Sequence, residues 1–276
     1  MPAQTKHDLY QLPLIRRLTA SLRVLPDFLI LGAQKAGTTT LYDNLVKHPQ
    51  VLAADIKEVH FFDTHWNEGV NWYRAHFPTR VRLKAEGGFV TGEGSPYYMF
   101  HPLVPQRVKQ VVPNAKFLVV LRNPVDRAYS HYQHEARKGR DELTFEEAIA
   151  QESTRLSGEL ERVRTEPNYN SFAIQHFSYI ERGKYAAQLE QWFAVFPREQ
   201  FLVVTSDELN KQFGTTLKRA FEFVGVPDHP IEQPKRSNVG SYDKMNPGTR
   251  AQLLELFRPH NAALEKLLQV TLNWDR

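Results

Sequence analysis

The stretch Asp27 to Leu45, DFLILGAQKAGTTTLYDNL, decides the fold. Phe28-Leu29-Ile30-Leu31 is an apolar run of the length of a buried strand. A loop carrying Gly32, Lys35 and Gly37 follows, then Thr38, Thr39 and Thr40. Leu41, Leu45 and Val46 continue at helical spacing. Strand, glycine-bearing loop and helix start, in that order, make an anion cradle. Glycine lets the backbone approach a ligand, the unpaired N–H groups of the first helical turn point at it, and the helix dipole favours negative charge.

The glycine spacing is GxxxxG, but a nucleoside-triphosphate loop would place Lys and then Ser or Thr straight after the second glycine. Thr38 stands there instead, and the lysine, Lys35, lies inside the loop. Such enzymes also end an apolar strand in a magnesium-holding Asp. The best candidate strand, Lys116 to Leu121 (KFLVVL), ends in Arg122. The loop suits a phosphate, while the machinery for a metal-bound triphosphate is not visible.

QKAGTT after a strand resembles the 5′-phosphosulfate loop of sulfotransferases that use 3′-phosphoadenosine 5′-phosphosulfate (PAPS). Lys57 to Asp63 (KEVHFFD) resembles a segment of the heparan-sulfate sulfotransferases and their bacterial relatives. Gly92 to Tyr98 (GEGSPYY) and Leu121 to Ser130 (LRNPVDRAYS) resemble two more, in the family's order. The resemblance runs over roughly residues 27–270, and four ordered motifs make chance agreement a poor explanation.

A chain of 276 residues can bury a sizeable core. With 41% hydrophobic and 24% charged residues it is neither disordered nor fibrous. A net charge of +4 suits an anionic nucleotide and is too small to indicate nucleic acid. Having no cysteine excludes disulfides, cysteine-held metal and thiol nucleophiles, and leans toward a reducing compartment. No run is long enough to span a membrane, whereas Golgi-resident members of the resembled family carry an apolar anchor. A cytoplasmic location is the resulting expectation. Residues 1–25 read as a peripheral segment, in which Leu14 to Val24 (LIRRLTASLRV) predicts a short basic amphipathic helix packed on the domain surface.

Residues 26–276 read as one domain. Phe89 to Glu93, Lys116 to Leu121 and Phe201 to Val204 are further apolar strands. Between them lie helices predicted over Val104 to Val112, from Phe145 to Gln151 after a Thr144–Glu147 capping box, through Tyr185 to Phe196, over Phe213 to Val224 ahead of Gly225, and over Thr249 to Phe257. Trp66, Trp72, Tyr73 and Phe77 are assigned mainly to the core. Ser153 to Asn170 reads as an exposed edge of the acceptor cleft. Alternating strands and helices predict an α/β fold, a P-loop-like three-layer sandwich around a central parallel sheet.

Sulfuryl transfer must deprotonate an acceptor, hold two oxygens in line and stabilise charge on a leaving phosphate. The resemblance implies Lys35 for the last task, with Ala36, Gly37, Thr38, Thr39 and Thr40 gripping the 5′-phosphate. It implies Glu58 as general base, with His60 either as base or as the group orienting Glu58. Arg122 and Ser130 match the positions that hold the 3′-phosphate, for which a bidentate guanidinium and a hydroxyl are suited. Arg127 is expected to be a structural ion-pairing residue. Arg236, Gly240 and Tyr242 fall in a basic loop where the family folds a lid over the donor. The donor implied is PAPS, the product 3′,5′-bisphosphoadenosine (PAP), and the acceptor a carbohydrate or small molecule.

One departure bears on that acceptor. Heparan-sulfate enzymes often carry Lys at the position of Gly94, so a smaller or less charged acceptor is expected. His131 and His134 share a helix face, but no HExxH motif or carboxylate partner completes a metal site, and no metal is expected. Two other classes stay open: a P-loop kinase of a small metabolite, and a non-catalytic adenine-nucleotide-binding module.

Overall fold

Five short runs pair edge to edge into one parallel sheet in the computed structural model, which describes residues 10, 12–85, 87, 90–166, 168–231 and 243–274. They are β1 (Phe28–Gly32), β2 (Val51–Ala53), β3 (Val90–Gly94), β4 (Lys116–Leu121) and β5 (Phe201–Thr205). The order across the sheet is β2-β3-β1-β4-β5, with every neighbouring pair parallel. β1 sits in the middle, and Phe28 to Leu31 are wholly buried, as a continuously apolar parallel strand requires. Helices flank the sheet, giving the expected α/β architecture.

Aromatic rings fill much of the core. Phe117 of β4 meets Trp192, Phe196 and Phe201 at centroid distances of 5.3, 4.7 and 4.8 Å. Tyr73 and Phe77 are fully buried, and Tyr73 stacks on Phe61 at 4.5 Å and 11°. Trp66 and Trp72 pack against this cluster while partly exposed. The Thr144 capping box is present, and Gly225 closes the Phe213–Val224 helix with a left-handed φ of 100°.

Val51–Ala53 forms an edge strand of mixed burial, too short to be read from the sequence. Ser153 to Asn170 is mostly exposed, as expected, with two short helices, Glu152–Arg155 and Glu159–Thr165, and Leu156 and Val163 buried. Two expectations need correcting. The last helix runs Pro247–Leu268, through Pro259. Its buried Leu264 and its packing on the Tyr185–Phe193 helix outweigh the proline's lost hydrogen bond. The N-terminal segment is helical over Leu14–Leu18 but does not pack by its apolar side: Leu14, Ile15 and Leu18 are 69%, 64% and 71% exposed. Phe89, the expected start of β3, lies outside the described residues.

Candidate active site

Ligands of open parallel sheets bind beyond the carboxyl ends of the strands, where the strand order reverses. β1, β3 and β4 are adjacent, so the segments leaving their carboxyl ends share one edge. The loop from Ala33 to Gly37 leaves β1, Arg122 ends β4, and Ser95 to Tyr98 follows β3. The Met99 N–H donates to Leu31 O at 2.9 Å, tying the β3 exit to β1.

The cradle has the local geometry its sequence requires. Gly37 caps the Thr38–Leu45 helix at φ 110°, and a side chain there would also meet Leu209 at 3.3 Å. Ala36, Thr38 and Thr40 are buried in the loop and first turn, and Thr39 is half-buried. Lys35 itself is left-handed, at φ 69°. Arg122 donates from Nη1 to the Lys35 carbonyl at 3.2 Å, so two residues 87 positions apart in sequence meet. Ser130 lies buried on the Pro124–Arg137 helix that starts just beyond Arg122. Arg236, Gly240 and Tyr242 lie outside the described residues.

Charge around Lys35 is one-sided. Burial, and then Arg137, Lys138 and Arg122, hold its ammonium below the ordinary lysine range, against a single opposing carboxylate, Glu135. Burial, and then Lys35 and Lys138, push His134 down to about 4, leaving a neutral imidazole beside the loop at pH 7. A cluster of this kind is relieved by a bound anion.

Arg182, for which the sequence offered no signal, is buried against the loop. It donates from Nη1 to Gln34 Oε1 at 2.6 Å and from Nε to Ser178 Oγ at 2.8 Å. Its guanidinium lies 4.6 Å from the Tyr97 ring centroid. Arg127 departs from the ion-pairing expectation. It is fully buried and donates from Nη2 to the Tyr179 carbonyl, and among the described residues no carboxylate pairs with it.

The Glu58 segment is built differently. Glu58 and His60 both adopt left-handed backbone, at φ 59° and 55°. Side chains from distant elements hold them there. Glu93, fully buried at the end of β3, accepts from Val59 N–H at 3.3 Å, Ser95 Oγ at 2.7 Å, Tyr98 OH at 2.7 Å and Tyr73 OH at 3.0 Å. Ser95 Oγ accepts the His60 N–H at 3.0 Å, Tyr98 OH accepts that of Phe61 at 2.8 Å, and Tyr10 OH donates to Glu58 O at 3.0 Å. Arg107 donates to the Phe62 carbonyl at 2.7 Å.

His60 sits between two carboxylates, with Nδ1 2.7 Å from Asp63 Oδ2 and Nε2 3.6 Å from Glu58 Oε2. Burial alone would lower the imidazole, but Asp63 and Glu58 outweigh it and hold His60 well above the ordinary histidine range. Burial raises Asp63, and the facing His60 more than reverses that. His60 is therefore an imidazolium at neutral pH, donating from Nδ1 to Asp63 with Nε2 at ion-pair distance from Glu58, whose side chain is 43% exposed. Asp63 lay inside a quoted motif, yet its part emerges only from the contact.

His131, His134 and His176 all approach Glu135, but that carboxylate is bonded to Arg140 at 2.7 Å. Among the described residues no group of three or more His, Cys, Asp or Glu is arranged to hold a metal ion.

A five-stranded parallel sheet flanked by helices, with a glycine-flanked loop leaving its central strand, defines an α/β three-layer protein. The Sulfotransferase domain family model matches residues 25–247, and the chain belongs to that family. It is 31% identical over 277 residues to the human bifunctional heparan sulfate N-deacetylase/N-sulfotransferase 3, across 88% of this chain and 30% of that protein. It is 25% identical to the membrane-associated sulfotransferase kil1 of Dictyostelium discoideum, across 92% of this chain and 67% of that protein. The chain thus spans about a third of the length of the heparan sulfate relatives it matches. The crystal structure of a sulfotransferase from Alicyclobacillus acidocaldarius superimposes with a TM-score of 0.71 at 32% identity, covering 92% of this chain and all of that one.

Proposed function

We propose that this protein moves a sulfuryl group from PAPS to a hydroxyl or amine of a carbohydrate or small-molecule acceptor, directly and in line. The observation that carries the reading is the meeting of Lys35, inside the loop, with Arg122, at the end of β4. Lys35 lies inside the loop, whereas a triphosphate enzyme has its lysine straight after the second glycine, and Arg122 stands where such an enzyme ends a strand in a metal-binding carboxylate. A donor with phosphates at both the 5′ and 3′ positions suits that pair, and Arg137 and Lys138 add to the same field.

The family resemblance and this geometry together support the following residue roles. Glu58 takes the acceptor's proton as the acceptor oxygen or nitrogen bonds to sulfur. The bond from sulfur to the phosphate oxygen breaks at the same time, and the Lys35 ammonium faces the charge that develops on that phosphate. His60 orients Glu58 rather than acting as base, because an imidazolium held by Asp63 has no lone pair to accept a proton. Backbone N–H groups from Ala36 to Thr39, with the Thr38 and Thr39 hydroxyls, cradle the 5′-phosphate, while Arg122 and Ser130 take the 3′-phosphate. Arg236, Gly240 and Tyr242 are the lid candidates.

Calorimetry with PAP and with ATP plus magnesium, run beside sulfate transfer from labelled PAPS, tests the reading. Tighter binding of PAP and metal-independent transfer are expected. Preference for ATP with magnesium, or consumption of its γ-phosphate, would replace it with the kinase reading. Tight PAP binding without turnover across an acceptor library would favour a binding module.

A further inference from the structure

Amphipathic helices on globular domains ordinarily turn their apolar stripe inward. The N-terminal helix, Leu14–Leu18, and the single turn after it, Ala20–Leu22, do the opposite. Their charged side chains are the anchors. Arg16 donates to the Ala75 carbonyl at 2.7 Å and pairs with Asp55 at 3.1 Å. Arg23, itself buried, donates to the Phe77 carbonyl at 2.6 Å. The leucines and isoleucine face outward: Leu14, Ile15, Leu18 and Leu22 are 60% or more exposed. An antiparallel bridge from Arg23 to Thr79 sets the Arg80–Ala85 helix alongside, and its Val81 is 78% exposed. These five make up most of the large apolar side chains exposed among the described residues, and they lie on adjoining turns rather than scattered.

The charge around this patch selects its occupant. Arg17, Arg80 and Lys84 are exposed on the same two helices. Asp55, beside Arg16, is already engaged by Arg16 and His76. Apolar side chains ringed by cations, on helices too short to insert, match an anionic lipid surface, where leucines enter the headgroup layer and arginines meet phosphates.

We infer that this face docks the protein on anionic membranes. Tyr10, whose hydroxyl holds the Glu58 carbonyl, is four residues before Leu14, at most about 14 Å of chain away. Docking therefore brings the Glu58 side of the molecule near the lipid, within reach of an acceptor group attached to the membrane. That last step rests on the sulfuryl-transfer reading; the docking does not.

The test is flotation of the full chain with phosphatidylcholine vesicles, with and without about a third phosphatidylglycerol. Binding to the anionic vesicles alone is expected, weakened when salt rises from about 0.1 to about 0.5 M. Leu18→Glu should lower it at least roughly tenfold, and Arg17→Glu by less, with PAP affinity unchanged in both as proof of folding. Absence of binding, equal binding to neutral vesicles, or binding indifferent to Leu18→Glu overturns the inference. So does a dimer, seen by light scattering, that Leu18→Glu dissociates, because a second copy would then be the occupant. A wild-type chain that floats but has no affinity for PAP would sink the sulfuryl-transfer reading and leave the docking face standing.

Discussion

Two loops at one sheet edge hold non-glycine residues in left-handed backbone, and they are framed differently. Lys35, at φ 69°, lies directly between β1 and the Thr38–Leu45 helix, which frame its loop at both ends, with Arg122 and Arg182 bracing it from far along the chain. Glu58 and His60, at 59° and 55°, have neither strand nor helix on either side for several residues. Glu93, Ser95, Tyr98 and Tyr10 hold them from 34 or more positions away. The proposed phosphate cradle is framed mainly by one contiguous stretch. The proposed base is mounted on side-chain hydrogen bonds from several elements, and each of those is a place to break it.

The largest effect is expected where those bonds converge. Glu93→Ala leaves two tyrosine hydroxyls, a serine and a backbone N–H without their acceptor, at about 1–3 kcal/mol for each group that stays buried and unpaired. A loss of about 4 kcal/mol in urea unfolding is expected. A loss under about 1 kcal/mol would mean that the loop holds itself. Next, Glu58→Gln should cut sulfate transfer by roughly 100-fold or more while calorimetric PAP affinity stays level. Full activity in that variant would move the base elsewhere.

Arg122→Ala acts on the other loop and should weaken PAP by roughly ten- to a hundredfold, the worth of a charge-assisted hydrogen bond, as read by calorimetry. An unchanged affinity would detach the β4 end from the donor site. Asp63→Asn sharpens the comparison through pH. In the wild type His60 is raised, so its contribution is complete below about pH 6.5 and fades only as pH climbs through its elevated folded value. Without Asp63, Glu58 alone opposes burial, so the folded value of His60 falls from its elevated level. The His60 contribution should then be smaller and should fade at lower pH in the variant than in the wild type. Urea midpoints between about pH 5 and 8, with NMR titration of the His60 ring, read this directly. The smallest change is far from either loop: Thr144→Ala removes one capping-box partner and should cost about 1 kcal/mol.

What the sequence disclosed follows the same division. The anion loop, β4 with its terminal arginine and the capped helices are contiguous patterns, and they stand where the residues predicted them. Glu93 read only as the last residue of a strand, because nothing in GEGSP tells that its carboxylate is buried beneath a segment more than 30 residues earlier. Asp63 and Arg182 escaped for the same reason: their partners are set by tertiary packing. β2 was too short to show a period, and the final helix carried a proline that local rules take as a stop. The N-terminal helix was visible as amphipathic, but which side faced the protein depended on Asp55 and two backbone carbonyls far along the chain.

The position of β1 at the centre of the sheet has a consequence for biosynthesis. Its neighbours, β3 and β4, begin only at Val90 and Lys116. During translation the four apolar residues after Asp27 therefore stay without a strand partner until the chain has been made through Gly94, and without the second one until it has been made through β4. The nascent chain is sticky throughout that interval, and its yield in cells should depend on trigger-factor-like holdases more than its final stability would suggest.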